Sequence, residues 1–141
     1  KKPAVCDSFV ELLDLYPTLS NLCGLPDQSR LQGKDISKLL DDPSHEVRKE
    51  AFSVAPMRTG FLLRNKKWAF IQYGEKLPAQ LKGGFEHGRN GIELFDMEQD
   101  PQQFINLSDT LKYQPVVESF RKKLKEKLVA IRKNDLQGLP Y

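Results

Sequence analysis

The sequence predicts an α+β fold: a small antiparallel sheet packed against a long C-terminal amphipathic helix. Three observations carry this. Val116, Val117, Phe120, Leu124, Leu128 and Ile131 recur every three or four residues, one apolar face of a helix from about Pro115 to Lys133. Gly60–Arg64 and Lys67–Tyr73 flank Asn65-Lys66, which predicts a hairpin with a two-residue turn, since Asn tolerates positive φ. Ala51–Val54, stopped by Pro56, and Gly91–Asp96 are two further short extended runs.

In chain order, Val5 to Val10 reads as an extended entry. A first helix is predicted from about Asp14 to Cys23, with Leu15, Leu19 and Leu22 on one face. Pro17 is tolerable in a first turn, where its missing N–H costs no hydrogen bond, and Asp14 is placed to accept from the free N–H groups there. Gly24 and Pro26 supply the stop. Residues 26–50 are polar and broken, with an apolar patch at Ile36, Leu39 and Leu40. In the strand after the turn, Trp68, Phe70 and Gln72 face one way and Ala69, Ile71 and Tyr73 the other. Trp68, Phe70 and Tyr73 read as packing residues rather than a sugar platform. After Asp100-Pro101, Asn106 is expected to fold a short connection, and Pro115 suits the start of the last helix.

The chain has 141 residues, 39% of them hydrophobic and 29% charged, the profile of a globular domain with a real core. No apolar run approaches the roughly 18–20 residues that span a bilayer, so no membrane is implied. Net charge is +3, modest for a nucleic-acid binder, and no nucleic-acid motif is present. Cys6 and Cys23 match no zinc or redox spacing; they either pair or sit as small buried hydrophobes. With only His45 and His87, a histidine-based metal site or triad is not expected, and His45 reads as a surface residue.

Two runs carry a family resemblance. Val10-Glu-Leu-Leu-Asp-Leu-Tyr-Pro-Thr-Leu-Ser-Asn-Leu-Cys-Gly-Leu-Pro26 is similar to the "VDLYPTLLDLAGLP" segment of the sulfatases, in the alkaline-phosphatase superfamily. Glu93-Leu-Phe-Asp-Met-Glu-Gln-Asp-Pro-Gln-Gln-Phe-Ile-Asn-Leu107 resembles their "ELYDLxxDPxExxNL" segment, near the C-terminal end. Between them, Leu31–Leu40 follows "LxGxSLxPLL", with Lys38 in place of Pro. Gly60–Arg64 with Trp68–Phe70 follows "GxxxRTxxxRYI", with Ala69 where Arg is common, which puts any role of that Arg in doubt. The first run is nearest the iduronate-2-sulfatase-like branch, which would imply a sulfated sugar, such as a uronate of a glycosaminoglycan.

The resemblance implies that residues 1–50 form the C-terminal edge of a catalytic domain and its linker, and 51–141 a C-terminal subdomain. The chain is then a fragment or subunit of a sulfuric ester hydrolase that stabilises the catalytic domain, borders the substrate cleft and is inactive alone. Its partner would be the N-terminal catalytic domain, and self-association through the uncovered first helix, or a loosely held N-terminus, is expected of the isolated chain. For the full-length parent it implies calcium, a formylglycine made from Cys or Ser in Cys-x-Pro-x-Arg, and a periplasmic, secreted or lysosomal location. Neither Cys6 nor Cys23 has that context, so no catalytic residue is assigned. The acid pair Asp41-Asp42 reads as polar loop, so no metal ligand is assigned.

The candidate substrate-binding residues are Lys82, His87 and Arg89. They lie in the long Glu75–Gly91 connection among Gly83, Gly84, Gly88 and Gly91. Long connections in compact domains are often binding loops; glycines let backbone approach a ligand, and Arg and Lys donate to sulfate or carboxylate. Two alternatives stand beside this. One is a stand-alone polyanion-binding module using the basic face of the last helix, Arg121, Lys122, Lys123, Lys125, Lys127, Arg132 and Lys133. The other keeps the superfamily but exchanges sulfate esters for phosphodiesters or phosphonates. Asn106-Leu107-Ser108 also reads as an N-glycosylation acceptor in a secreted eukaryotic setting.

Overall fold

The computed structural model describes residues 3–26, 28, 30–54, 60–73 and 91–132. They fall into two compact units that divide between Ala51 and Phe52.

The first unit is built around α1 (Leu15–Leu22), entered through a 3-10 turn, Leu12–Asp14. Pro17 sits in the first turn as expected. Gly24 adopts φ 67° at the C-terminal end, where the Leu25 N–H donates to the Ser20 carbonyl at 2.9 Å. A second 3-10 turn, Ser37–Leu40, contains part of the predicted apolar patch. The Leu15, Leu19 and Leu22 face of α1 is not covered within this unit: the three are 50%, 59% and 55% exposed.

The second unit is a four-stranded sheet in the order β1 (Ala51–Val54), β2 (Gly60–Arg64), β3 (Trp68–Tyr73), β4 (Ile92–Asp96), followed by α2 (Gln114–Arg132). The β2–β3 and β3–β4 pairs are antiparallel, with Leu63 opposite Phe70 and Phe70 opposite Leu94. That register places Leu63, Phe70, Leu94 and Ile92 on one face, where they form the core with Val117, Phe120 and Leu124 of α2. Phe70 stacks on Phe120 at 5.5 Å, and Trp68 meets Tyr113 edge-on at 5.7 Å. The predicted α+β arrangement is the one observed.

The hairpin turn lies one residue later than the sequence predicts. Asn65 pairs with Trp68, its N–H donating to the Trp68 carbonyl at 2.9 Å, so Lys66-Lys67 form the tip. Asn65 is used for its side chain instead of a positive φ: Oδ1 accepts from the N–H groups of Lys67 (3.0 Å) and Trp68 (2.7 Å). The opposite face of the sheet is also apolar. Ala69, which stands in place of the Arg of the resembled motif, is fully buried and lies across from Phe95, also buried.

Truncating Phe120 to Ala should cost about 3–5 kcal/mol, as for large buried aromatics generally. Phe104, 84% exposed, should change stability by less than about 0.5 kcal/mol when truncated. Urea unfolding followed by the fluorescence of Trp68, the single tryptophan and part of the second unit, measures both.

Candidate functional site

The predicted binding residues Lys82, His87 and Arg89 lie outside the described residues. The ends of their connection are described and are held tightly. β3 ends at Tyr73 and β4 begins after Gly91, whose φ of 64° turns the backbone into the strand. The Tyr73 N–H donates to the Gly91 carbonyl at 2.8 Å, and the Tyr73 hydroxyl donates to Glu93 Oε2 at 3.2 Å. Burial, with the Glu93 charge and hydrogen bond adding to it, pushes the Tyr73 phenol up to about 12, so it stays a protonated donor at neutral pH. Sequence reasoning assigned Tyr73 to packing and missed Glu93; their cross-strand placement depends on a register that only the fold supplies.

A second constellation went unrecognised as such in the sequence. Asp14 does not cap α1 through its side chain, contrary to expectation. The carboxylate is fully buried and accepts four hydrogen bonds. Oδ1 takes the Lys34 N–H (2.8 Å) and Arg48 Nη2 (2.7 Å); Oδ2 takes the Glu11 N–H (2.7 Å) and Arg48 Nη1. Burial pushes its pKa up, but the Arg48 guanidinium and the two backbone donors outweigh burial and hold it below the usual carboxylate range. Below it, Thr18 Oγ1 donates to the Asp14 carbonyl at 2.6 Å and accepts the Ile36 N–H at 3.0 Å. Gly33 is what lets the 31–36 stretch approach: a Cβ there would lie 2.1 Å from the Leu13 carbonyl oxygen. With every lone pair of Asp14 engaged, this cluster is a structural clasp with no open position for a ligand.

Calcium, the metal the resemblance implies, is not served by these groups. Asp14 has no lone pair to offer it, and Asp42 already accepts from the Ser44 hydroxyl and N–H with one oxygen. Among the described residues, no group of three or more His, Cys, Asp or Glu gathers to hold a metal ion. The described residues therefore do not form a calcium site. Cys6 and Cys23 are unpaired; Cys6 Sγ accepts the Ser8 N–H, and Cys23 is exposed.

Asn106 is used as a false piece of strand. Its Oδ1 accepts the N–H groups of Leu94 and Ser108, both at 3.0 Å, and its Nδ2 donates to the Ile92 carbonyl at 3.3 Å. The nitrogen a glycan would occupy is thus committed to β4, and Ser108 is buried.

The fold, a four-stranded antiparallel sheet packed against a helix, is shared with solved sulfatases, among them one from Bacteroides thetaiotaomicron at 23% identity with a TM-score of 0.61, over 90% of this chain and 26% of that one. The chain belongs to the N-sulphoglucosamine sulphohydrolase, C-terminal family, which it matches over residues 1–133. This match does not single out the iduronate-2-sulfatase-like branch. Arylsulfatase K of Gallus gallus is 25% identical over 138 residues, covering 89% of this chain and 23% of that protein. A protein solved in complex with its substrate D-glucosamine-2-N,6-O-disulfate superposes with a TM-score of 0.65 at 18% identity, over 90% of this chain and 25% of that one. The phosphonate monoester hydrolase of Agrobacterium radiobacter superposes with a TM-score of 0.60 at 18% identity, over 84% and 25%. The chain spans about a fifth of the length of the curated relatives it matches.

Because the folded state lowers the Asp14 pKa, its stabilising effect is complete above the unfolded value of about 3.9 and is lost as pH falls through the folded value. Asp14→Asn should destabilise by about 3–5 kcal/mol at neutral pH, as breaking a buried ion pair does. The gap to the parent chain should shrink on acidification below about pH 4. Denaturation followed by circular dichroism across that range gives the measurement. Arg48→Met should likewise destabilise most at neutral pH, since it leaves the carboxylate buried without its cation, and acid that protonates Asp14 should relieve that deficit.

Proposed function

We propose that the chain works as the C-terminal part of a longer sulfuric ester hydrolase, stabilising the catalytic domain and bordering its substrate cleft. The observation that carries this is the family match over residues 1–133 in a chain spanning only about a fifth of its relatives. In that reading residues 1–50 are the edge of the catalytic domain and its linker, and 51–141 the C-terminal subdomain. The family's formylglycine and calcium supply the nucleophile and the positive charge that hydrolysis of a sulfate ester requires. This chain's own part is to bind and to brace.

Two features support that part. The exposed apolar side chains Leu12, Leu15, Tyr16, Leu19, Leu22 and Leu25 cluster in sequence along α1 and its flanks. Such a face on a soluble protein marks a docking surface, and the occupant proposed is the N-terminal catalytic domain of the same protein. The second feature is the connection from Tyr73 to Gly91, clamped at its root and carrying Lys82, His87 and Arg89 to donate to a sulfated sugar. The phosphonate monoester hydrolase shares the fold, so the reaction is selected by the nucleophile region, and sulfate against phosphonate ester turnover distinguishes the two.

The coding sequence upstream of Lys1 tests the proposal. An open frame of several hundred codons with Cys-x-Pro-x-Arg, or its Ser variant, supports it; a start codon at Lys1 overturns it. The longer product should hydrolyse a sulfate ester that the 141-residue chain leaves intact. His87→Ala with Arg89→Ala in the longer product should raise KM while sparing kcat; an unchanged KM removes this loop from the cleft. The isolated chain should self-associate in sedimentation velocity, and Leu15→Lys with Leu19→Lys should return it to monomer. A parent chain that is already monomeric counts against the docking face.

A further inference from the structure

The turn that follows β4 is braced more heavily than a connection needs. Asp96 Oδ1 accepts the N–H groups of Glu98 (3.0 Å) and Gln99 (3.2 Å), and the Asp100 N–H donates to the Asp96 carbonyl at 2.7 Å. Asp100 in turn accepts the Gln103 N–H on its carbonyl at 3.0 Å and the Ile105 N–H on Oδ2 at 2.8 Å. The Gln103 side chain reaches back to Met97, with Nε2 3.5 Å from Sδ, and Asn106 and Leu107 are tied to β4. Gln103 itself has a φ of 60°, the one positive value at a non-glycine residue among the described residues. At Gly24 and Gly91, where the backbone also turns left-handed, the chain uses glycine. A side chain at such a φ is strained and persists only where its surroundings over-determine it, a condition that clusters at sites of function.

What this strained turn holds out is apolar. Phe104 and Ile105 come directly after Gln103 and are 84% and 63% exposed. Neither belongs to the core of the second unit. Strain and hydrogen bonds therefore fix the backbone of two large apolar residues that stay in water. An apolar pair presented on a rigid backbone loses little entropy on binding, which suits it to anchor an interface.

We propose that Phe104 and Ile105 form a preformed apolar anchor by which the second unit docks on the N-terminal catalytic domain of the same protein. The proposal rests on the reading of the chain as part of a longer hydrolase and adds to it a contact independent of the α1 face. Length and charge select the occupant. The chain spans about a fifth of its curated relatives, so most of such a protein lies outside these 141 residues. A polyanion or an anionic lipid surface would be repelled by Asp96, Glu98 and Asp100 in the same turn.

The test places Phe104→Ala with Ile105→Ala in two backgrounds, the 141-residue chain and the longer product. In the 141-residue chain the double variant should leave the urea midpoint unchanged. In the longer product it should speed thermal unfolding, followed by circular dichroism, about tenfold or more, the scale of one lost interface anchor. Equal destabilisation in both backgrounds overturns the proposal, because the side chains then pack within the 141 residues. No effect in either overturns it as well. So does a longer product whose only response is a change from dimer to monomer in sedimentation velocity, which assigns the anchor to a second copy. Turnover of a small aryl sulfate at low temperature should be the same with and without the double variant. If the unmodified longer product lacks that turnover, the hydrolase reading fails while the unfolding comparison still decides the anchor. A start codon at Lys1 overturns both.

Discussion

The first unit depends on one buried carboxylate. Asp14 lies at the junction of a 3-10 turn and α1, and its four acceptor bonds join residues 11, 14, 34 and 48. An isolated buried charge is expensive, so the carboxylate is tolerable only while the guanidinium of Arg48 and both backbone N–H groups stay in place. That makes the clasp conditional: each partner holds its own segment and needs the others. Gly33 shows the same constraint from the backbone side, since any side chain there would collide with the Leu13 carbonyl and withdraw the Lys34 N–H. The polar, broken stretch after α1 is thus held by hydrogen bonds to side chains, Asp14 taking the Lys34 N–H and Thr18 the Ile36 N–H, where a regular element would use its own ladder.

The second unit is governed by a different constraint, the need to bury both faces of a short sheet and finish its last strand. α2 buries the Leu63–Phe70–Leu94 face through Val117, Phe120 and Leu124. β4 follows β3 at the end of the strand order and would present unpaired backbone groups. Asn106 meets part of that need by imitating a peptide group, accepting from Leu94 and donating to Ile92, while the Leu107 N–H donates to the Leu94 carbonyl at 2.8 Å. The Asn-Leu pair of the family motif therefore has a physical meaning here: the side chain substitutes for a strand that is not there.

Much of this was legible in the residues. The period of α2, the alternation of Trp68, Phe70 and Gln72, and the stop at Gly24 were each specified by local rules, and the structure keeps them. What was not legible depends on contacts distant in sequence. Asp14 looked like a helix cap because nothing near it in the chain reveals Arg48, 34 positions away. The hairpin tip moved by one residue because an Asn side chain that accepts two N–H groups competes with an Asn at positive φ, and both choices suit the same dipeptide. The candidate residues Lys82, His87 and Arg89 lie outside the described residues, and only the root of their connection is described. Glycines and cations mark the 75–91 connection, but the Tyr73–Glu93 pairing at its root follows from the β3–β4 register, which puts Ile71 opposite Glu93 and leaves Tyr73 diagonal to it.

Hydrophobic periodicity says which face of a helix wants cover, never what covers it. α1 and α2 carry the same signal in sequence, and the structure treats them oppositely. Phe120 and Leu124 are 3% and 2% exposed, while Leu15 and Leu19 stand at 50% and 59%. A helix with such a face is not stabilised by that face until something is laid on it. In the first unit the clasp takes that role, fixing the start of α1 by buried hydrogen bonds and so leaving the apolar face free. The helix is held in place by its polar root and can present its leucines outward, which is the arrangement a docking element requires.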